Sequence, residues 1–221
     1  MTRTPHETRA RLLEAATELF AERGFHGIGV REIALRAEVN VAAANYHFGS
    51  KEDLYLEVLR GQFALIRARL AERRAKVPED APAGMNRAEL ADLLRSRITT
   101  ILELFVGRPA SPHVRLMLRE LMDPSAALPV AVDEFLRPEI RDSKLILARL
   151  EPDLDDASLE RCVFSMMGSV MYYVLVRPAL LLMSGREEYP AGFAREIGRH
   201  VTEFSLGGIS RLAREARGEV A

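Results

Sequence analysis

The residues with the most chemistry to offer stand close together: Asn40, Asn45, Tyr46, His47 and Lys51. Their amide, phenol, imidazole and ammonium groups all donate hydrogen bonds, and they suit phosphates and base edges better than bond-making. Ala42, Ala43 and Ala44 lie between them and give the segment a slim surface. The major groove of B-DNA, roughly 12 Å wide, admits an α-helix, and small side chains let its backbone approach bases and thymine methyls. The other reading of these alanines is a core helix with a polar end.

Two short helices must position these groups. Val30, Ile33, Ala34 and Ala37 recur at spacings of three and four, which buries one side of a helix and leaves Arg31, Glu32 and Arg36 outside. Glu38, Val39 and Asn40 interrupt the pattern, and the short side chain of Asn40 can cap a second helix from Val41 to His47. Phe48 anchors the end of that helix. Gly49 and Ser50 then supply a turn and a cap, Asp53 completes a capping-box pattern, and a new helix starts at Lys51. Its first amides and Lys51 together favour an anion, as a phosphate clamp would. The run reads as a helix-turn-helix.

Other chemistries find little support. The histidines at 6, 26, 47, 113 and 200 include no pair at metal-ligand helical spacing. Gly27 and Gly29 lack the preceding strand and third glycine of a dinucleotide site, no serine has a nucleophile-elbow context, and Cys162 sits among apolar neighbours. No catalysis, cofactor or metal is expected. The formal net charge of −1 requires any DNA binding to come from a local patch. A single cysteine excludes an intramolecular disulfide, and Arg3, Arg9 and Arg11 break any apolar leader, so a cytoplasmic protein is expected. The most apolar run, Val170 to Ser184, is interrupted by Arg177 and Pro178 and falls short of the roughly 20 residues of a membrane span. It reads as buried helix.

The rest of the chain is punctuated as helix throughout. Thr4, Pro5 and Glu7 start the first helix, Leu12, Ala16, Leu19 and Phe20 form its buried stripe, and Gly24 ends it, with Phe25 packed beneath. Helix four runs from Lys51 to about Lys76 with Leu54, Val58, Ala64 and Leu70 as apolar positions, followed by a loop from Val77 to Met85. Further helices span Asn86 to Val106, Ser111 to Met122, and Ser125 to Leu150, the last split near Leu136 by Pro138. Two long ones close the chain, from Asp156 or Ser158 through Val176 and from Ala191 to about Arg214. No segment alternates like a strand, so the fold class is all-α.

Those last two helices carry apolar stripes, Val163, Met167, Val170, Met171 and Val174 against Phe193, Ile197, Val201, Phe204 and Leu212, with Gly168 and Ser169 allowing close packing. A C2 homodimer through both would form a four-helix bundle; the alternative is that the stripes close the chain's own core. For an effector, Phe105, Met117, Leu121, Met122, Met166, Met167, Tyr172 and Tyr173 supply adaptable apolar side chains, and His113, Arg119 and Glu120 polar contacts. Each of these also suits plain core.

The segment RLLEAATELFAERGFHGIGVREIALRAEVNVAAANYHFGSKEDLYLEVL resembles the TetR/AcrR family of bacterial transcriptional regulators. The resemblance implies a DNA face formed by Arg31, Ala42, Ala43, Asn45, Tyr46, His47 and Lys51, with Asn40 at the head of the same helix. It also implies a three-helix head over residues 1–50 and a larger helical body over 51–221 for ligand binding and dimerisation. Two positions depart from the family: Ile28 and Gly29 replace hydroxyl residues that cap the second helix, and Glu38 stands where the turn usually has glycine. The body, with HVRLMLRELMDPSAALPVAVDEFLRPEI and GSVMYYVLVRPALLLM, resembles the CecR-like subgroup and favours a small, moderately apolar effector. The function expected is a homodimeric repressor on a palindromic operator, against an alternative of a helical adaptor that binds no DNA.

Overall fold

The computed structural model describes residues 4–74, 84–106 and 112–219, except the side chains of Leu70, Arg73, Arg74, Pro112 and His113. Most of the 77–85 loop and the Ser111 cap lie outside these residues. Among the described residues there is no strand, and packing divides the chain into two compact units, Met1–Arg67 with Ala110–Leu136 and Ala68–Pro109 with Arg137–Ala221.

In the first unit, α1 (Pro5–Arg23) opens on a complete capping box, since Thr4 and Glu7 each accept the other's backbone amide, and it closes at Gly24 with φ 74°. Leu12, Ala16, Leu19 and Phe20 are buried along one side. Then come α2 (Val30–Arg36), α3 (Val41–Phe48) and α4 (Lys51–Arg74). On α4 Leu54, Tyr55, Val58, Leu59, Phe63 and Ile66 are buried, the spacing of a helix with one apolar face. Ala64, expected on that face, is exposed, because the stripe has rotated onto Phe63 and Ile66.

α6 (Pro112–Met122) joins the same unit. Arg119 Nη2 donates to the Glu22 carbonyl at 3.0 Å, satisfying an end of α1, and an added Cβ at Gly24 would meet Arg119 Cδ at 2.9 Å. Glu120, almost fully buried, accepts from Tyr55 Oη at 2.7 Å, Ser125 N at 2.9 Å and Ser125 Oγ at 3.0 Å, so its carboxylate is provided with donors rather than orphaned. Burial, then the hydrogen bond to Glu120, pushes the Tyr55 phenol well above its ordinary range and keeps it a donor.

The expected split at Pro138 is present, as α7 (Leu128–Ala131), a π-helical turn (Val132–Leu136) and α8 (Arg137–Leu150). Pro138 brings no N–H for the carbonyl of Glu134, four residues back, and that carbonyl accepts from Arg67 Nη1 at 2.9 Å instead. The Glu134 carboxylate pairs with Arg60 at 3.1 Å.

The second unit is built on α5 (Arg87–Val106), whose Leu90, Leu94, Ile98, Leu102 and Val106 recur every fourth residue into one core. Around it pack α8, α9 (Asp156–Leu175) and α11 (Phe193–Ala216), with α10 (Arg177–Ser184) beside α9. The cap of α9 is Asp155, whose Oδ1 accepts from Ser158 N at 2.7 Å. Gly198 lets α11 approach α5: a Cβ there would lie 2.3 Å from Thr99 Oγ1 and 3.2 Å from Thr99 Cα. Arg97 is buried between Glu139 at 2.6 Å and Asp142 at 3.4 Å.

Two apolar readings need correction. Val163, Val170, Val174 and Val201, taken as a dimer stripe, are buried in the chain's own core, while Phe164, Tyr172 and Leu175 on α9 and Phe204 and Leu212 on α11 are exposed. α9 is apolar on two sides, and periodicity alone cannot say which side closes the core. The run from Val170 to Ser184 is likewise not one buried helix: it bends by 64° between α9 and α10, with Leu181 buried and Leu182 and Met183 exposed. No single described helix is long and apolar enough to cross a membrane.

Candidate nucleic-acid interface

α2 and α3 are held by local backbone chemistry. Gly29 caps α2 without a side-chain hydrogen bond, as a residue lacking a hydroxyl must. At its other end Glu38 N donates to Leu35 O at 3.0 Å and Val39 N to Ala34 O at 2.9 Å, the paired closure of a Schellman motif. That motif requires a left-handed residue, and Glu38 supplies it at φ 52°. Asn40 Oδ1 then accepts from Ala42 N at 2.9 Å and starts α3.

α3 is fastened by Ala44 and Phe48, both buried and one turn apart, which aims the remaining surface outward. Ala42 and Asn45 are exposed, Tyr46 is 84 % exposed, and Ala43 and His47 are half-buried. A tyrosine left so bare beside two buried anchors is not filling a core. The His47 ring packs edge-on against Tyr46 with centroids 5.3 Å apart.

The charges around α3 sort into paired and unpaired. Arg11 pairs with Glu38 and Arg36 with Glu18, each at 2.8 Å, while Arg23 pairs with Glu32 and Arg9 with Glu57. Arg31 is exposed and Lys51 half-buried, and neither has an acidic partner among the described residues; Lys51 Nζ lies 4.3 Å from the centre of the Phe25 ring. Guanidinium and ammonium groups left without carboxylates are those free to meet phosphate. At the start of α4, Asp53 N donates to Ser50 Oγ at 3.0 Å, and Ser50 Oγ donates to Asp53 Oδ2 at 2.6 Å. The expected capping box is therefore half made: the Asp53 carboxylate takes the hydroxyl, while Ser50 N donates to Phe48 O at 2.9 Å.

Residues 12–58, which contain this arrangement, match the profile of bacterial regulatory proteins of the tetR family, and residues 90–209 match the C-terminal domain of the HTH-type transcriptional dual regulator CecR. This chain belongs to the TetR family and has a CecR-type C-terminal domain. It is a DNA-binding transcriptional regulator. It is 26 % identical to the dual regulator CecR of Shigella flexneri over 221 residues, covering 96 % of each chain. Over 54 residues, 24 % of this chain and 25 % of the relative, it is 50 % identical to the transcriptional activator FasR of Mycolicibacterium smegmatis. Among solved structures, a transcriptional regulator from Saccharomonospora viridis in complex with choline shares the fold with TM-score 0.61 and 18 % identity, over 90 % of this chain and 95 % of that one. The regulator KstR2 of Mycobacterium tuberculosis does so with TM-score 0.58 and 22 % identity, over 90 % and 93 %.

The candidate effector residues fall in different units. Met117, Glu120 and Leu121 belong to the first unit and Phe105, Met167 and Tyr172 to the second; the His113 side chain is outside the described set. Glu120 is committed to Tyr55 and Ser125, and Tyr172 is 55 % exposed. Arg177, Tyr189 and Phe193 line a cavity in the second unit, and the sequence reading did not single them out as effector residues: Arg177 figured only as a break in an apolar run and Phe193 only in an apolar stripe. Their signal was the Tyr-Pro-Ala-Gly turn ahead of α11, which carries no periodicity.

Proposed function

We propose that this regulator is a cytoplasmic homodimeric repressor that binds a palindromic operator and leaves it when a small, moderately apolar effector enters the body. The observation that carries the DNA face is Tyr46, exposed on a helix whose Ala44 and Phe48 are buried, with Arg31 and Lys51, which have no acidic partner among the described residues, nearby in the chain. Asn40, Ala42, Ala43, Asn45 and His47 complete that face. Residues 1–50 hold the operator-reading head in this account, and 51–221 sense and dimerise. One such helix reads only a few base pairs, so two about 34 to 36 Å apart are needed for a full site. The exposed apolar residues of α9 and α11 support the dimer. Repression is named for one relative, the repressor Rv3405c of Mycobacterium tuberculosis, 47 % identical over 53 residues.

The first unit joins the early part of α4 to α6, α7 and the head, and chain passes out of it after Arg67 and after the π-helical turn at Leu136. In this reading the effector's free energy is spent moving α4, which changes the spacing of the two recognition helices.

The test is binding to a fragment carrying the DNA upstream of the protein's own coding region. Affinity should fall about 10³-fold or more between roughly 50 and 200 mM salt if several phosphates are contacted. Tyr46→Ala should lose about tenfold, the worth of one hydrogen bond to a charged group, with the dimer intact. A flat salt response, or a dimer that dissociates in Tyr46→Ala, rules the reading out.

A further inference from the structure

The second unit contains a cavity of about 540 Å³ between the end of α5, the first residue of α10, the connection before α11 and the first turn of α11. That size suits a small organic ligand. One wall is aromatic and fixed: Tyr189 and Phe193 stack 3.8 Å apart and within 5° of parallel, and Tyr189 Oη donates to the Tyr173 carbonyl at 2.9 Å.

The polar side of the cavity carries two guanidinium groups, Arg177 and Arg195, beside two carboxylates, Glu103 and Glu188. Arg177 holds its guanidinium 5.7 Å from the centre of the Tyr189 ring, and its buried Nε has no hydrogen-bond partner among the described residues. A guanidinium fork matches a carboxylate. α11 begins at Gly192, φ 84°, with no side-chain cap, so the positive end of a long helix borders the same space. Arg195 adds a second guanidinium at the rim. The glutamates of the lining, Glu103 and Glu188, each already make an interaction of their own.

We propose that this cavity binds an aromatic carboxylate, its anionic end at Arg177 and the start of α11 and its ring against Tyr189 and Phe193. This names the effector class and rests on the reading of the body as a sensor. Its test uses no DNA, so a failure here is separable from a failure of operator release.

Calorimetric titration of the full-length protein compares 2-naphthoate with its neutral and cationic counterparts, 2-naphthamide and 2-naphthylmethylamine. The carboxylate should bind at least tenfold more tightly than either. Arg177→Gln should weaken it at least tenfold, and Arg195→Gln, at an exposed position that cannot disturb the core, at least threefold. Equal or tighter binding of the amine, no binding of the carboxylate, or full carboxylate affinity in both variants would overturn the assignment.

Discussion

Glu38 holds a left-handed backbone, φ 52°, and is the only non-glycine residue with positive φ among those described. The Schellman closure of α2 imposes that conformation, and an L side chain in it costs about 1 to 2 kcal/mol. Its exposed ion pair with Arg11 returns only about 0 to 1 kcal/mol. Glu38→Gly should therefore stabilise the protein by about 0.5 to 1 kcal/mol, part of the relief being offset by a more flexible unfolded chain. Urea unfolding would show it as a higher midpoint at unchanged slope, and a lower midpoint would mean that the Arg11 pair outweighs the strain. The position was legible beforehand through the family resemblance, which puts a glycine at this turn, and the structure shows Glu38 taking the left-handed conformation itself.

Elements were legible in proportion to how local their causes are. The starts of α1, α3 and α5 follow from side chains within three residues, Thr4 with Glu7, Asn40, and Asn86, whose Oδ1 accepts from Ala88 N at 2.9 Å. The approach of α11 to α5 has no such cause: it rests on Gly198 meeting Thr99, 99 positions earlier in the chain. Gly198→Ala should cost about 1 to 3 kcal/mol through overpacking, and Thr99→Ala in the same chain should recover part of it by removing Oγ1. Thermal unfolding of the two single variants and the double variant measures that coupling. Strict additivity would mean that the two residues do not meet.

For the whole molecule, the decisive surface is the apolar face left open on α9 and α11. Phe164, Tyr172 and Leu175 on one helix and Phe204 and Leu212 on the other are exposed, and Gly207 and Gly208 have open space around them. Large apolar side chains left exposed together on long helices mark an interaction surface, and in the proposed mode of operator binding a second copy covers it. Phe204, 74 % exposed, contributes little to the folded single chain. Phe204→Glu should convert the proposed dimer to a monomer with unchanged far-UV circular dichroism and cost most of the operator affinity. Analytical ultracentrifugation decides the first point, and a persisting dimer would move the interface elsewhere.

By itself the sequence determined the all-α class, the capped starts of α1, α3 and α5 and the span of α2 and α3, because caps, turns and 3.6-residue periodicity act over one or two turns. Only the tertiary structure decided which side of α9 closes the core, which arginines near α3 are spent on carboxylates, and where a cavity forms. Those outcomes depend on residues far apart in the chain: Arg36 is neutralised by Glu18, Arg31 meets no acid among the described residues, and Arg177 faces the turn that precedes α11. Spacing along the chain carries no record of such meetings, since loops and helix directions settle them.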